Sequence, residues 1–457
     1  MKRKPSVLPV SQESPSRRDF VKWSGGLAVG TALAGLAPPR VHAAEENTIR
    51  LALIGCGGRG NGAVANAFAA PGGPVKLVAM ADIHERKLAA SHASLSKLDP
   101  QKVDVAPERR FVGFDAYKTA IDCLRPGDVA LLTTRAAFRP LHLEYAVAKG
   151  VNVFFEKSFA TDPVGVRRVL KAAEEAEKKN LKIAAGTMCR HSKNRQELIK
   201  RIRDGAMGQI QLLRAYRSEH FGGLGRKPAG ENEIFWQLRT IFHLFWVSAG
   251  LWSEADIHQI DEMCWIKDAW PVSAHGIGGR AANSTDCGQN LDSCCAEWTF
   301  ADGTKAYYVM RNLANTHNEF STYIHGSKCG AQFSGKIHAA TTRLYKDQRF
   351  EADNVAWEAP PEPISPWQAE WDVFLDAIRQ DRHHNEARQA ALSQAADIMG
   401  RAAIHMGRVI TFDEVMASNF EWVPGGVDNL NENSPPPVVA DADGRYPVPV
   451  PGQWVEV

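Results

Sequence analysis

Three groups of residues in this chain have the types and spacing that chemistry needs. Gly55-Cys56-Gly57-Gly58-Arg59-Gly60 directly follows an apolar run, Ile49 to Ile54. Gly55 permits a tight turn, Gly57 a close backbone approach to a diphosphate, and Gly60 close packing of helix on strand, with the helix N-terminus facing the negative charge. Glu156-Lys157 closes a second apolar run, residues 151–155. In open α/β sheets the ligand crevice lies outside the C-terminal ends of the strands, so a charged pair there is placed to meet a ligand. A solvated pair that merely closes a strand has the same sequence. His258 lies one helical turn after Glu254. A carboxylate beside an imidazole favours its protonated form and fixes its tautomer, which suits a general base near neutral pH. A packed histidine satisfied by Glu254 reads the same way.

The elements that must position these groups are legible around them. Short apolar runs at 49–55, 75–81, 128–134, 151–155 and 182–186 alternate with helical patterns such as 138–149 and 163–179. That alternation predicts a parallel, doubly wound sheet. The glycine string has a strand pattern before it, a helix-like run after it (62–70) and a second strand that ends at Asp82. This is the context that makes it a dinucleotide fingerprint. Asp82 would accept from both ribose hydroxyls of an adenosine and repel a 2′-phosphate, which favours NAD over NADP. Arg59 is the nearby residue that could accommodate such a phosphate.

Val153-Phe154-Phe155-Glu156-Lys157-Ser158 resembles the Glu-Lys-Pro turn that ends the fifth strand in the Gfo/Idh/MocA oxidoreductases. Thr133-Thr134-Arg135-Ala136 and His142 resemble the loop and helix before it. Glu254-Ala255-Asp256-Ile257-His258 and Asp261 resemble the family's second signature, an acidic residue ahead of a His followed by His-x-x-Asp. The likeness covers most of residues 48–420. It implies an α/β protein: an N-terminal Rossmann doubly wound parallel sheet, then a C-terminal α/β domain with a large, mostly antiparallel open sheet that mediates dimers or tetramers. It implies sugars or cyclitols as substrates. By the family pattern Lys157 hydrogen-bonds the reacting hydroxyl near the nicotinamide, His258 accepts its proton, and Glu254 completes the catalytic set. Gly55, Gly57, Gly58, Arg59, Gly60, Asp82, Thr133 and Glu156 are the expected cofactor residues, and Arg190, Trp236 and Asp261 the expected substrate contacts. Ser158 stands where the family usually has Pro, and Glu254 where it usually has Asp, its carboxylate one methylene further out.

The second half reads as strand-rich, at 209–217, 272–278, 294–300, 305–311, 320–325 and 342–345, with Ala301-Asp302-Gly303-Thr304 a hairpin turn. An open antiparallel face needs cover, so a homodimer or homotetramer is expected. Residues 221–252 are rich in aromatics, including Phe235, Trp236, Phe242 and Trp246, with Arg239 and His243 interleaved. They either stack on sugar rings or form a packed helix pair between domains. Arg190 and His191, just after the sixth strand, are placed to meet substrate. Patterns at 367–379 and 387–408 are helical, and the Pro-rich chain over 421–457 is an extended arm around the surface or a partner subunit.

Composition narrows the function classes. The chain has 457 residues and a formal charge of +2, which argues against nucleic acid or an anionic surface as its main partner. Its eight cysteines form no C-x-x-C pair, and neither His383-His384 nor Cys294-Cys295 has metal-ligand spacing, so no metal site is expected. Cys56 and Cys123 fall in predicted core elements and read as buried thiols. Ser16-Arg17-Arg18-Asp19-Phe20-Val21-Lys22, the modestly apolar stretch after it and Val41-His42-Ala43 read as a twin-arginine signal over residues 1–43, sending a folded protein to the periplasm. No segment reads as a membrane span. The domains are then 48–187, which binds the nucleotide, 188–420, which binds substrate and mediates assembly, and the arm 421–457. The leading expectation is a sugar oxidoreductase that keeps its NAD(P) bound. A redox-neutral, NAD-dependent glycoside hydrolase uses the same residues and leaves its cofactor unchanged after each cycle. A non-catalytic sugar-binding protein is the third reading.

Overall fold

A computed structural model describes residues 47–333 and 341–457. The twin-arginine stretch and its cleavage position lie outside the described residues. Strands β1 (Ile49–Ile54), β2 (Val75–Asp82), β3 (Arg110–Val112), β4 (Val129–Leu132), β5 (Asn152–Phe155) and β6 (Ile183–Ala185) form a parallel sheet in the order β3-β2-β1-β4-β5-β6. This is the doubly wound order, and its direction reverses between β1 and β4, where a crevice opens at the strand ends. Period-two alternation divides the strands between two cores. Ala52, Ile54, Ala130, Leu132, Val153 and Phe155 face one, and Leu51, Leu53, Val129, Leu131 and Phe154 the other. The strands therefore read as continuous apolar runs, as buried parallel strands do. Strand β3 departs from the expected set: it is a three-residue edge with no apolar run to announce it.

The second sheet comprises β7 (Ile210–Ser218), β8 (Ser273–Gly279), β9 (Ser293–Thr299), β10 (Lys305–Arg311), β11 (Glu319–Gly326), β12 (Gly330–Phe333), β13 (Arg343–Tyr345), β14 (Val355–Glu358) and β15 (Ile410–Thr411). Their order is β14-β13-β12-β11-β7-β10-β9-β8-β15, antiparallel throughout except for the pair β7 and β10. Six of these strands lie where the sequence places them; β12, β14 and β15 are additional and short. The outer face carries Ile277, 68% exposed.

The inner face is covered by helices Gly250–Lys267 and Ala387–Met406, which share one apolar core with the first sheet. Gly400 is required there: a Cβ would lie 2.2 Å from the Trp298 ring. Helix Gly250–Lys267 buries every residue except Trp265 and Lys267. A helix buried all round has no amphipathic stripe, which is why its sequence spacing looks mixed. All eight cysteines are free thiols; Cys56 is buried as expected, but Cys123 is only half-buried.

The chain after residue 420 forms neither helix nor strand and packs on its own molecule. Glu456 is fully buried between Arg401 (2.9 Å) and His405 (3.0 Å). Burial raises the Glu456 carboxyl, but Arg401 and His405 outweigh it and hold it at about 2. A carboxylate depressed below its ordinary 4.5 contributes stability that is present above that pH and lost as pH falls toward 2. Glu456→Gln strands a buried guanidinium and is expected to cost about 3 kcal/mol at pH 7 in urea unfolding. The variant should also lose part of the acid dependence between pH 4.5 and 2 that the parent protein shows.

Candidate active site

Strand β1 runs into Gly55, whose φ of +97° lies in the left-handed region. A Cβ there would sit 2.7 Å from the Thr133 carbonyl carbon, and one at Gly60 would sit 2.5 Å from the Gly55 oxygen. The Thr133 hydroxyl donates to the Gly55 carbonyl at 2.6 Å, tying the turn to the end of β4. Gly57 and Gly58, by contrast, face open space. They begin helix Gly58–Ala69, whose N-cap makes no side-chain hydrogen bond, so its amides point at the cleft without an internal partner. At the end of β2, Asp82 accepts from the backbone amides of Cys56 (2.8 Å) and His84 (2.8 Å) and lines the same cleft. Amides at a glycine-lined helix N-terminus as donors, and an oriented carboxylate beside them as acceptor, are what a dinucleotide's diphosphate and ribose require.

Arg59 takes a different place from the one expected. Its Nε donates to Glu156 at 2.5 Å, and Nη2 lies 3.9 Å from the buried Glu370. Glu156 directly follows β5, with β1 and β4 between it and the Asp82 end of β2, so the Arg59 guanidinium turns away from the Asp82 side. Glu156 is likewise buried in this pair.

The Lys157–Ser158 peptide is cis. Lys157 Nζ donates to Glu254 Oε2 at 2.8 Å and to the Glu254 carbonyl. Ser158 Oγ donates to the Ser253 carbonyl at 2.9 Å, so two consecutive residues of this turn bond to one turn of helix Gly250–Lys267. His258 lies one turn on from Glu254 on the same face, 7% exposed. Lys157 and Glu254 are thus brought together at the C-terminal end of β5, with His258 one helical turn further along the helix that carries Glu254. Behind them is a buried network that sequence reasoning missed: Ser253 Oγ and Gln394 Nε2 donate to Asp397, and Gln394 accepts from Phe159 N at 2.8 Å. Burial pushes the Asp397 carboxyl up to about 7 against the lowering influence of Ser253 and Arg401.

The expected substrate contacts separate. Arg190 forms a two-pronged pair with Asp261 at 2.7 and 2.9 Å, and its guanidinium lies 5.4 Å from the Trp265 ring. Asp261 is 1% exposed and also accepts from Ser393 (2.6 Å) and Gln389, so it holds Arg190 and offers no free face to a ligand. Trp236 is buried in an apolar cluster with Ile234, Leu238, Trp246 and Tyr446. From the same helix, Glu233–Arg239, it is Leu238 that lines the cleft and Phe235 that packs on His84 (5.2 Å) and Phe114 (6.0 Å). The i, i+3 spacing of Phe235 and Leu238 was the available signal.

No family model matches the chain. Over 184 residues it is 26% identical to inositol 2-dehydrogenase of Cereibacter sphaeroides, a match covering 40% of this chain and 47% of that enzyme. The chain therefore spans about half the length of the curated relatives it matches. Among solved structures, levoglucosan dehydrogenase in complex with NADH and levoglucosan aligns with a TM-score of 0.62 at 14% identity, covering 80% of this chain and 99% of that one. Aldose-aldose oxidoreductase from Caulobacter crescentus gives a TM-score of 0.60 at 16% identity, with 80% and 99% covered. These likenesses establish the fold, a nucleotide-type parallel sheet joined to a large mostly antiparallel one, as the resemblance of the motifs implied.

The glycine geometry separates two substitutions. Gly60→Ala drives a methyl into the Gly55 carbonyl and is expected to cost about 2 kcal/mol, lowering the melting temperature of nucleotide-free protein by several degrees. Gly57→Ala meets nothing in the protein and should leave that melting temperature unchanged while weakening NAD binding about tenfold or more, measured by calorimetric titration.

Proposed function

We propose that the protein is a nicotinamide-dependent oxidoreductase acting on a hydroxyl of a sugar or cyclitol. The observation that carries this reading is the contact of Lys157 Nζ with Glu254, one helical turn from His258, at the end of a parallel strand in the sheet whose neighbouring strand ends line the cleft of Gly55, Gly57 and Asp82. A bound nicotinamide would supply the hydride acceptor. The chain's own residues do the rest. An ammonium has three donors, and Glu254 takes two from Lys157; the third is oriented for a substrate oxygen, whose developing negative charge it stabilises. His258 takes the hydroxyl proton as general base. Glu254 positions Lys157, and Arg190, braced by Asp261, meets further hydroxyls. Asp82 favours NAD over NADP by repelling a 2′-phosphate. Inositol 2-dehydrogenase and levoglucosan dehydrogenase, among the proteins this chain resembles, support a cyclic polyol or sugar as substrate. We read the twin-arginine stretch as an export signal, which requires the nucleotide to stay bound, and the outer face of the second sheet as the surface for self-association.

The test is turnover with a panel of inositols and aldoses. Lys157→Ala is expected to lower kcat by about a hundredfold or more while bound dinucleotide is retained, because one preorganised donor to the reacting oxygen is lost. His258→Ala should lower kcat similarly and remove the fall in activity on the acid side of the pH profile, where an essential base is protonated. Unchanged turnover in Lys157→Ala would remove it from the mechanism.

A further inference from the structure

Helix Glu233–Arg239 belongs to the second half of the chain yet forms a wall of the cleft in the first. Leu238 lines the cleft, and the Phe235 ring lies against His84 and Phe114 on the side where Asp82 marks the ribose. The helix is held in place from both ends. On the nucleotide side, Arg135 Nε donates to the Leu238 carbonyl (3.1 Å) and Nη2 to the Arg239 carbonyl (3.2 Å), two acceptors that a helix C-terminus leaves open. On the outer side it is tied to the chain after residue 420. Asn232 Nδ2 donates to the Glu432 carbonyl (2.8 Å), Gln237 Nε2 to the Val438 carbonyl (2.7 Å) and the Tyr446 hydroxyl to Glu233 Oε1 (2.5 Å). Ile234, Trp236, Val427 and Tyr446 fill the space between, and Ile83, Phe114 and Phe138 pack on the same cluster from the nucleotide domain.

We propose that this helix and the irregular C-terminal chain form a clasp over the adenosine end of the cleft, so that the dinucleotide is retained from one turnover to the next. The inference rests on the cleft binding a dinucleotide, as proposed above. Release requires the adenine to leave a wall that is bonded on both sides, so the Arg135 bonds, the ties to the C-terminal chain and the apolar cluster must yield together. Such a device slows dissociation more than association. It also gives the C-terminal chain a role within its own molecule.

The experiment loads the full-length protein with NAD, adds an excess of the fluorescent analogue etheno-NAD and follows exchange. Exchange in the unaltered protein is expected to be slow, and Phe235→Ala, which removes the ring that backs His84 and Phe114 in the cleft wall, should speed it about tenfold or more. Phe235→Tyr should restore slow exchange, and Tyr446→Phe, which cuts a tie without touching the cleft, should also accelerate it. The melting temperature of nucleotide-free Phe235→Ala should match that of the unaltered protein, which separates retention from general stability. An exchange rate in both Phe235→Ala and Tyr446→Phe equal to that of the unaltered protein overturns the clasp. So does exchange complete within seconds in the unaltered protein, a result that leaves the dinucleotide cleft standing. Failure to bind NAD or etheno-NAD at all overturns both.

Discussion

An ammonium at the end of a buried parallel strand cannot stand without an acceptor, and here the acceptor comes from the other half of the chain. Lys157 has a side chain only 20% exposed, and the carboxylate that balances it belongs to Glu254, 8% exposed. Desolvated charges are tolerated when paired and hydrogen-bonded, so the helix that carries Glu254 must cross the strand end closely. That requirement buries the helix on every side. Each polar residue brought in with it then needs its own arrangement. Asp261 binds Arg190, and Glu262 binds Arg195 at 2.8 Å. Gln259 donates to the Tyr216 carbonyl at 2.8 Å. Burial, with Asp397 nearby, raises the Asp256 carboxyl well above its ordinary range against the lowering influence of Tyr308 and Arg217.

The same constraint explains how two sheets become one site. The parallel sheet presents its glycine turn and Asp82 at the strand ends, where open α/β sheets hold ligands. Among the described residues, the antiparallel sheet contributes no strand residue to that cleft. It serves as a floor for helices Gly250–Lys267 and Ala387–Met406, and the first of these delivers Glu254 to the Lys157 turn, with His258 one turn further along.

Much of this arrangement was legible because local periodicity and turn chemistry carry it. The strand before Gly55, the helix after it and Asp82 at the next strand end are neighbours in sequence, so their geometry follows from one fingerprint. Strands β7 to β11 announced themselves by alternation or turn residues. The short strands β3, β12, β14 and β15 did not, since two to four residues carry too few apolar positions to register a period. Residue types also said nothing about pairings distant in sequence. Arg59 reads as a phosphate contact until Glu156, 97 residues away, is seen to occupy it. Asp261 reads as a ligand contact until Arg190, Ser393 and Gln389 fill its carboxylate. In the aromatic stretch, the larger ring was expected at the ligand, yet the helix turns Trp236 into the core, Leu238 to the cleft and Phe235 against the cleft residues His84 and Phe114.

The central claim is that Lys157, Glu254 and His258 act on a hydroxyl-bearing carbon held beside a dinucleotide. Its most direct test is rapid mixing of the NAD-loaded protein with inositols and aldoses, each also prepared with deuterium on the ring carbons, while the absorbance of reduced nicotinamide is recorded. The account predicts that at least one such compound reduces the bound nucleotide in a single turnover and that its deuterated form does so more slowly. Bound dinucleotide that stays oxidised with every member of the panel would contradict it.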